Sequence, residues 1–355
     1  MRERPRGPLY PSPQVPRGAR INPAPIVLAA SAAATSLIAR SVVWDNHTCM
    51  PLRPHDERFL PQLERLARSG VTVVGVNVGF GEQSIEDHVR VLAHFRRWIA
   101  QRRDRYVLVE TVDDVFAAKA SGRLGIFFDI EGARAIDDQA SMIGLYYDLG
   151  VRWMLMAYNR NNRVGGGCLD DDPGLSDFGY AVIDEMERVG MIVCCSHTGE
   201  RTTLDVIAHS RNPVIFSHSN PRALWDHPRN VRDEVIRACA AKGGVVGING
   251  VGQFLGKNDT SSRTFASNVD YVARLAGVDH VALGLDYVFD EQELADYLAS
   301  MPATFPAGVH EPCDFVRPEQ IPEIVNELLV MGYSNDDLAK ILGANLLRVA
   351  RAVWK

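Results

Sequence analysis

From residue 41 onward, short apolar runs alternate with longer amphipathic stretches, and the two follow different periods. Runs rich in β-branched residues at 41–44, 71–78, 125–130, 152–157, 192–195, 214–217, 244–248 and 280–285 predict eight strands. The stretches at 57–67, 85–100, 176–189, 232–241 and 263–276 carry apolar residues at three- and four-residue spacing, which predicts helices with one buried face. Strands that alternate with helices predict a parallel sheet. Eight repeats predict closure into an α/β fold of the (β/α)8 TIM-like barrel type rather than an open doubly wound sheet.

The ends of the chain read differently. Residues 1–25 are rich in Pro and Arg and lack periodicity, so they read as an extended or partly disordered arm. Residues 26–355 read as a single barrel domain that includes its C-terminal helices. The apolar, alanine-rich run at 25–34 resembles the core of an export signal, but it grades into the first strand and reads better as a helix leading into the barrel. A cytoplasmic location is the expectation, with export by this segment as the alternative. Residues 317–354 predict a C-terminal helical extension across the barrel, with Pro318 near the start of one helix and Gly332-Tyr333-Ser334-Asn335 ending it and capping the next.

Composition narrows the partners. With 46% hydrophobic and 23% charged residues the chain is ordinary for a globular protein, and no apolar run of about 20 residues predicts a membrane span. A formal charge of -6 supplies no basic face for nucleic acid, so a small-molecule substrate is expected. Cys49, Cys168, Cys194, Cys195, Cys239 and Cys313 are too sparse and irregular for a disulfide framework.

Candidate chemistry sits where the strands end. His47 follows Val42-Val43-Trp44, and Cys49, two residues on, points the same way if the chain stays extended. Glu131 follows the apolar run Gly125-Ile126-Phe127-Phe128-Asp129-Ile130, where a carboxylate is costly to bury unless it is paired or bound to metal. Salt-bridging to Arg134 is its plainer alternative. His197 and His218 each end a compact apolar run and each follows a serine; Asp286 ends the last run and could move a proton. Imidazole, thiolate and carboxylate together are the ligand set of zinc, and strand ends face the mouth of a barrel, where such folds keep their chemistry. Gly165-Gly166-Gly167 reads as a flexible loop and Asp170-Asp171-Asp172 as a solvated one.

These residues, with Gly174-Leu175-Ser176-Asp177-Phe178-Gly179, Pro228-Arg229-Asn230-Val231, Gly284-Leu285-Asp286 and the 337–345 segment, make the chain resemble the membrane dipeptidase (renal dipeptidase) family of zinc metallopeptidases, within the amidohydrolase-like barrels. The likeness runs from about Ser41 to Val353. It implies a two-zinc site in which Glu131 bridges, His197 and His218 complete one metal, and His47 with residue 49 completes the other. It further implies that Asp286 assists proton transfer, that Arg229 holds the free carboxylate of a dipeptide, and that the protein is a homodimer. A guanidinium fork suits a carboxylate, which agrees with the role given to Arg229.

Two positions depart from the family pattern. Where the family has Asp-Gly-His-Asn-Asp-x-Pro, this chain reads Asp45-Asn46-His47-Thr48-Cys49-Met50-Pro51, so that Cys49 replaces an aspartate ligand. A thiolate also binds zinc but donates more charge, which leaves either an altered two-metal site or a single zinc. Where the family has a substrate-contacting histidine, this chain has Tyr158, whose phenol can donate to an oxyanion but does not titrate near neutrality. The expected activity is zinc-dependent hydrolysis of small amides with a free carboxylate, most simply dipeptides, by metal-activated water. The alternatives are a non-dipeptide amide, lactam or ester as substrate, and a barrel that has lost catalysis and serves in binding.

Overall fold

In the computed structural model, which describes residues 31–300 and 313–355, the strands are β1 (Trp44–Cys49), β2 (Val73–Phe80), β3 (Tyr106–Leu108), β4 (Leu124–Glu131) and β5 (Val151–Leu155), followed by β6 (Ile192–Cys194), β7 (Ile215–Phe216), β8 (Val245–Asn249), β9 (Val281–Gly284) and β10 (Tyr287–Val288). Hydrogen bonding runs in the order β1-β2-β4-β5-β6-β7-β8-β9 and returns from β9 to β1, where Asp45 registers with Leu283, so the parallel sheet closes into the expected barrel. β3 adds to β4 outside this circuit and β10 adds to β1. The 1–25 arm lies outside the described residues; the alanine-rich run contributes the helix Ala32–Arg40, capped by Ser31.

Two apolar layers form the core. The outer one packs helix faces against the strands, as with Val91, Leu92, Phe95, Trp98 and Ile99 of the helix Ile85–Ala100, whose start is fixed by a Ser84–Asp87 capping box. The inner one fills the barrel with inward side chains from every closing strand: Trp44, Val73, Phe127, Trp153, Cys194, Ile215, Val245 and Ala282. Leu346, Leu347, Val349, Ala350 and Val353 of the C-terminal helix Asn345–Val353 join that inner layer, and Trp354 packs 5.6 Å from Trp44. The extension therefore stoppers one end of the barrel. The other end carries the site.

The first strand begins later than its hydrophobicity suggests. Residues 41–44 were the expected strand, yet β1 spans Trp44–Cys49 and holds His47 within it rather than after it. Its pairing with β2 shifts register between Asp45 and Thr48, an irregularity that re-aims the polar residues of this strand. Gly165-Gly166-Gly167 is not a flexible loop: all three are buried, and a Cβ on Gly167 would lie 2.2 Å from the Asn159 carbonyl carbon. Asp170 pairs with Arg160 at 2.7 Å and Asp172 accepts from the Thr202 N–H at 2.8 Å, so this acidic run ties loops together instead of being merely solvated.

Candidate metal centre and substrate cavity

The barrel mouth brings together His47, Cys49, Glu131, Tyr158, His197, His218, Arg229 and Asp286. Burial dominates the geometry: the side chains of His47 and His218 are fully enclosed and those of Glu131 and His197 almost so. Glu131 Oε1 faces three imidazole nitrogens, His218 Nε2 at 3.1 Å, His197 Nε2 at 3.4 Å and His47 Nε2 at 3.7 Å. The His197 and His218 Nε2 atoms are themselves 3.0 Å apart.

The second nitrogen of each ring explains this convergence. His47 Nδ1 lies 3.1 Å from Asp129 Oδ1, His197 Nδ1 2.7 Å from Asn159 Oδ1, and His218 Nδ1 2.8 Å from Ser217 Oγ. Carboxylate and amide oxygens only accept, so His47 and His197 donate from Nδ1 and, when neutral, turn an Nε2 lone pair inward; Ser217 Oγ can accept from His218 in the same way. The lone pairs of His197 and His218, joined by that of His47 whenever its ring is neutral, then meet a carboxylate oxygen that receives no hydrogen bond. Such a meeting of acceptors is repulsive unless a cation sits among them, and these residues fit a metal.

Cys49 Sγ lies 3.5 Å from His47 Nε2 and 3.5 Å from Asp286 Oδ1, and Asp286 Oδ1 is 3.3 Å from His47 Nε2. A second set of nitrogen, sulfur and oxygen donors thus stands beside the first, with Glu131 between the two. Asp286 is steadied by Asn249 Nδ2, which donates to Oδ2 at 2.9 Å. Asn77 Nδ2 donates to Asp129 at 3.0 Å and reaches Glu131 Oε2 at 3.4 Å.

The electrostatics follow from burial. Burial holds the His197 and His218 imidazoles well below their usual pKa, so both are neutral and able to ligate. Burial pushes Glu131 up to about 8, against the lowering pull of His47. Burial likewise raises the Cys49 thiol. For His47 burial acts downward, but Asp129 and Glu131 outweigh it and lift the ring well above its usual value. Tyr158, raised by burial and then by Glu131, keeps its phenolic proton.

Arg229 is buried, and donates from one terminal nitrogen to Ser219 Oγ at 3.0 Å and from the other to the His218 carbonyl at 2.8 Å; its Nε has no protein acceptor. The plainer alternative for Glu131 is not what is found, because Arg134 pairs with Glu82 at 3.6 Å. A cavity of about 410 Å³ opens onto Cys49, Glu131, Tyr158, His197, Arg229 and Asp286. Asp129, Asn159 and Asn249 were not given a role from the sequence, and Ser217 was noted only as the residue before His218. Asp129 left a signal as well, two residues before Glu131 and hence on the same strand face.

The family model of membrane dipeptidases, peptidase family M19, matches residues 32–355. An uncharacterised dipeptidase of Schizosaccharomyces pombe is 30% identical over 282 residues, 76% of this chain and 62% of that protein. A Klebsiella pneumoniae protein from the region 5′ of pqqA is 32% identical over 276 residues, 74% of this chain and 95% of its own. The chain thus spans less than two thirds of the yeast relative but almost the whole of the bacterial one. Among solved structures, an amidohydrolase from Pseudomonas aeruginosa superposes with a TM-score of 0.82 at 29% identity, covering 90% of this chain and 99% of the other. The chain belongs to the membrane dipeptidase family of metallopeptidases.

Proposed function

We propose that the protein is a zinc-dependent hydrolase of small amides that carry a free carboxylate, with dipeptides as the default substrate. The observation that carries this reading is the convergence of three imidazole Nε2 atoms on the unbonded Glu131 Oε1. His197 and His218 would hold one metal, His47 and Cys49 the other, and Glu131 both; nitrogen, sulfur and carboxylate donors are the set zinc takes. When bound, zinc supplies a Lewis acid that polarises the amide carbonyl and acidifies water.

The remaining tasks fall to this chain's own groups. Arg229 offers its unused N–H groups to the substrate carboxylate and fixes the amide at the barrel mouth. Tyr158, protonated and stacked 4.2 Å from the His197 ring, is placed to donate to oxygen as the carbonyl becomes tetrahedral. Asp286, held by Asn249, takes the proton of the attacking water and passes it to the departing nitrogen. The buried polar groups would be expensive to keep in a barrel used only for binding.

The test uses the zinc-loaded protein on dipeptides of both configurations at the C-terminal residue. Asp286→Asn is expected to lower kcat by about 10²–10⁴-fold with metal content unchanged. Unchanged turnover in that variant would remove Asp286 from the mechanism.

A further inference from the structure

The groups that surround the metal set suggest what lies on the acyl side of the amide. Tyr158 stacks on His197, the Phe80 ring follows 5.4 Å from Tyr158, and Tyr297 meets Phe80 edge-on at 5.1 Å. The three rings form a file that leads from a metal ligand out along the cavity wall. Leu294 and Leu298, on the same helix as Tyr297 (Glu291–Ser300), and Met50 extend this surface. Arg229 lies elsewhere on the wall, anchored to His218 and Ser219.

A dipeptide bound with its carboxylate on Arg229 must place an α-ammonium one carbon beyond the reacting carbonyl, and that charge needs a partner. Four carboxylates line the cavity, and each already faces groups of this chain. Glu131 faces the imidazoles; Asp286 bonds Asn249 and lies beside His47 and Cys49. Asp290 pairs with Arg53 at 2.6 Å, and Glu293 accepts from the Leu52 N–H at 3.3 Å with Arg53 3.9 Å away. Apart from a few neutral polar groups such as Asn77 and Gln253, the rest of the wall is largely aromatic and aliphatic.

Building on the hydrolase reading above, we propose that the preferred substrates are amino acids N-acylated by a bulky apolar group, aryl-alkanoyl or branched alkanoyl, rather than dipeptides with a free amine. The reaction balances as a hydrolysis. Water gives hydroxyl to the acyl carbon, the C–N bond breaks, and the proton reaches nitrogen through Asp286, leaving an apolar carboxylic acid and a free amino acid. Phe80 and Tyr297 set specificity by covering the acyl group, and no oxidant or second substrate is needed.

The test compares pairs that differ only in the ammonium: Phe-Ala with 3-phenylpropanoyl-Ala, and Leu-Ala with 4-methylpentanoyl-Ala, with alanine of both configurations, on the zinc-loaded full chain. The des-amino member of each pair is expected to show kcat/KM about tenfold or more above its dipeptide. Tyr297→Ala and Phe80→Ala are expected to shrink the advantage of 3-phenylpropanoyl-Ala over acetyl-Ala by about tenfold. Tyr297 lies on a helix that contributes no fully buried residue, so its loss spares the fold. Dipeptides cleaved as well as or better than their des-amino partners would overturn this proposal alone. Turnover of neither class by fully metallated protein would overturn the hydrolase reading and this proposal with it.

Discussion

His197, Asn159 and Asp286 adopt left-handed backbone conformations, with φ of 61°, 60° and 55°. Non-glycine residues pay about 1–3 kcal/mol for such a conformation, and here it turns side chains inward just beyond the ends of strands. Asn159 supports its neighbour twice over, because its side-chain oxygen fixes the His197 tautomer and its backbone packs on Gly167. Asn159→Ala is expected to weaken metal binding by about 10–100-fold, measured by chelator competition, because the Nε2 lone pair is no longer directed. The proposed ligands were legible in the sequence because each interrupts or ends an apolar run. Two of their supports were not: Asn159 and Asn249 are common polar residues whose meaning depends on a partner 38 or 37 positions away.

Elements were legible in proportion to their hydrophobic contrast. The helices at Ile85–Ala100 and Ser262–Ala276 match the periodic stretches to within a residue, and their serine caps are plain in the sequence. The expected β1 began three residues early because Asp45-Asn46-His47-Thr48, within the strand, is polar although buried, and so breaks the apolar pattern. β3 escaped notice because three residues pairing only with β4 leave no periodic trace. Charge stabilises some joints between elements. Glu187, at the end of the helix Asp177–Val189, accepts from Ser210 Oγ at 2.8 Å, the Arg211 N–H at 2.6 Å and Arg211 Nε at 2.7 Å. Burial pushes its pKa up, but these hydrogen bonds outweigh burial and hold it below the ordinary value. Its contribution is therefore complete above the unfolded pKa of about 4.3 and disappears as the pH falls through the folded value. Glu187→Gln is expected to cost about 1–3 kcal/mol in urea unfolding at pH 7, with the difference from the parent shrinking in acid.

At the scale of the whole molecule, the barrel divides its labour between two ends. The C-terminal helix seals one end with apolar side chains, and Leu346, 2% exposed, is part of that seal. Leu346→Ala is expected to cost about 2–5 kcal/mol of stability, read from the denaturation midpoint, while leaving metal stoichiometry intact. The eight-fold strand–helix alternation made the barrel legible from sequence, whereas the depth of the C-terminal helix in it depends on contacts to Trp44 and Phe127 some 300 and 230 positions earlier. Among the described residues no helix is long and apolar enough to cross a membrane. The other end gathers two adjoining donor sets around Glu131, and a two-metal centre that includes Cys49 is the central claim. It is tested most directly by counting zinc per chain by elemental analysis, in protein purified from zinc-supplemented buffer, with Cys49→Ser alongside. The account predicts two zinc ions in the parent and about one in the variant; one or none in the parent, or two in both, would contradict it.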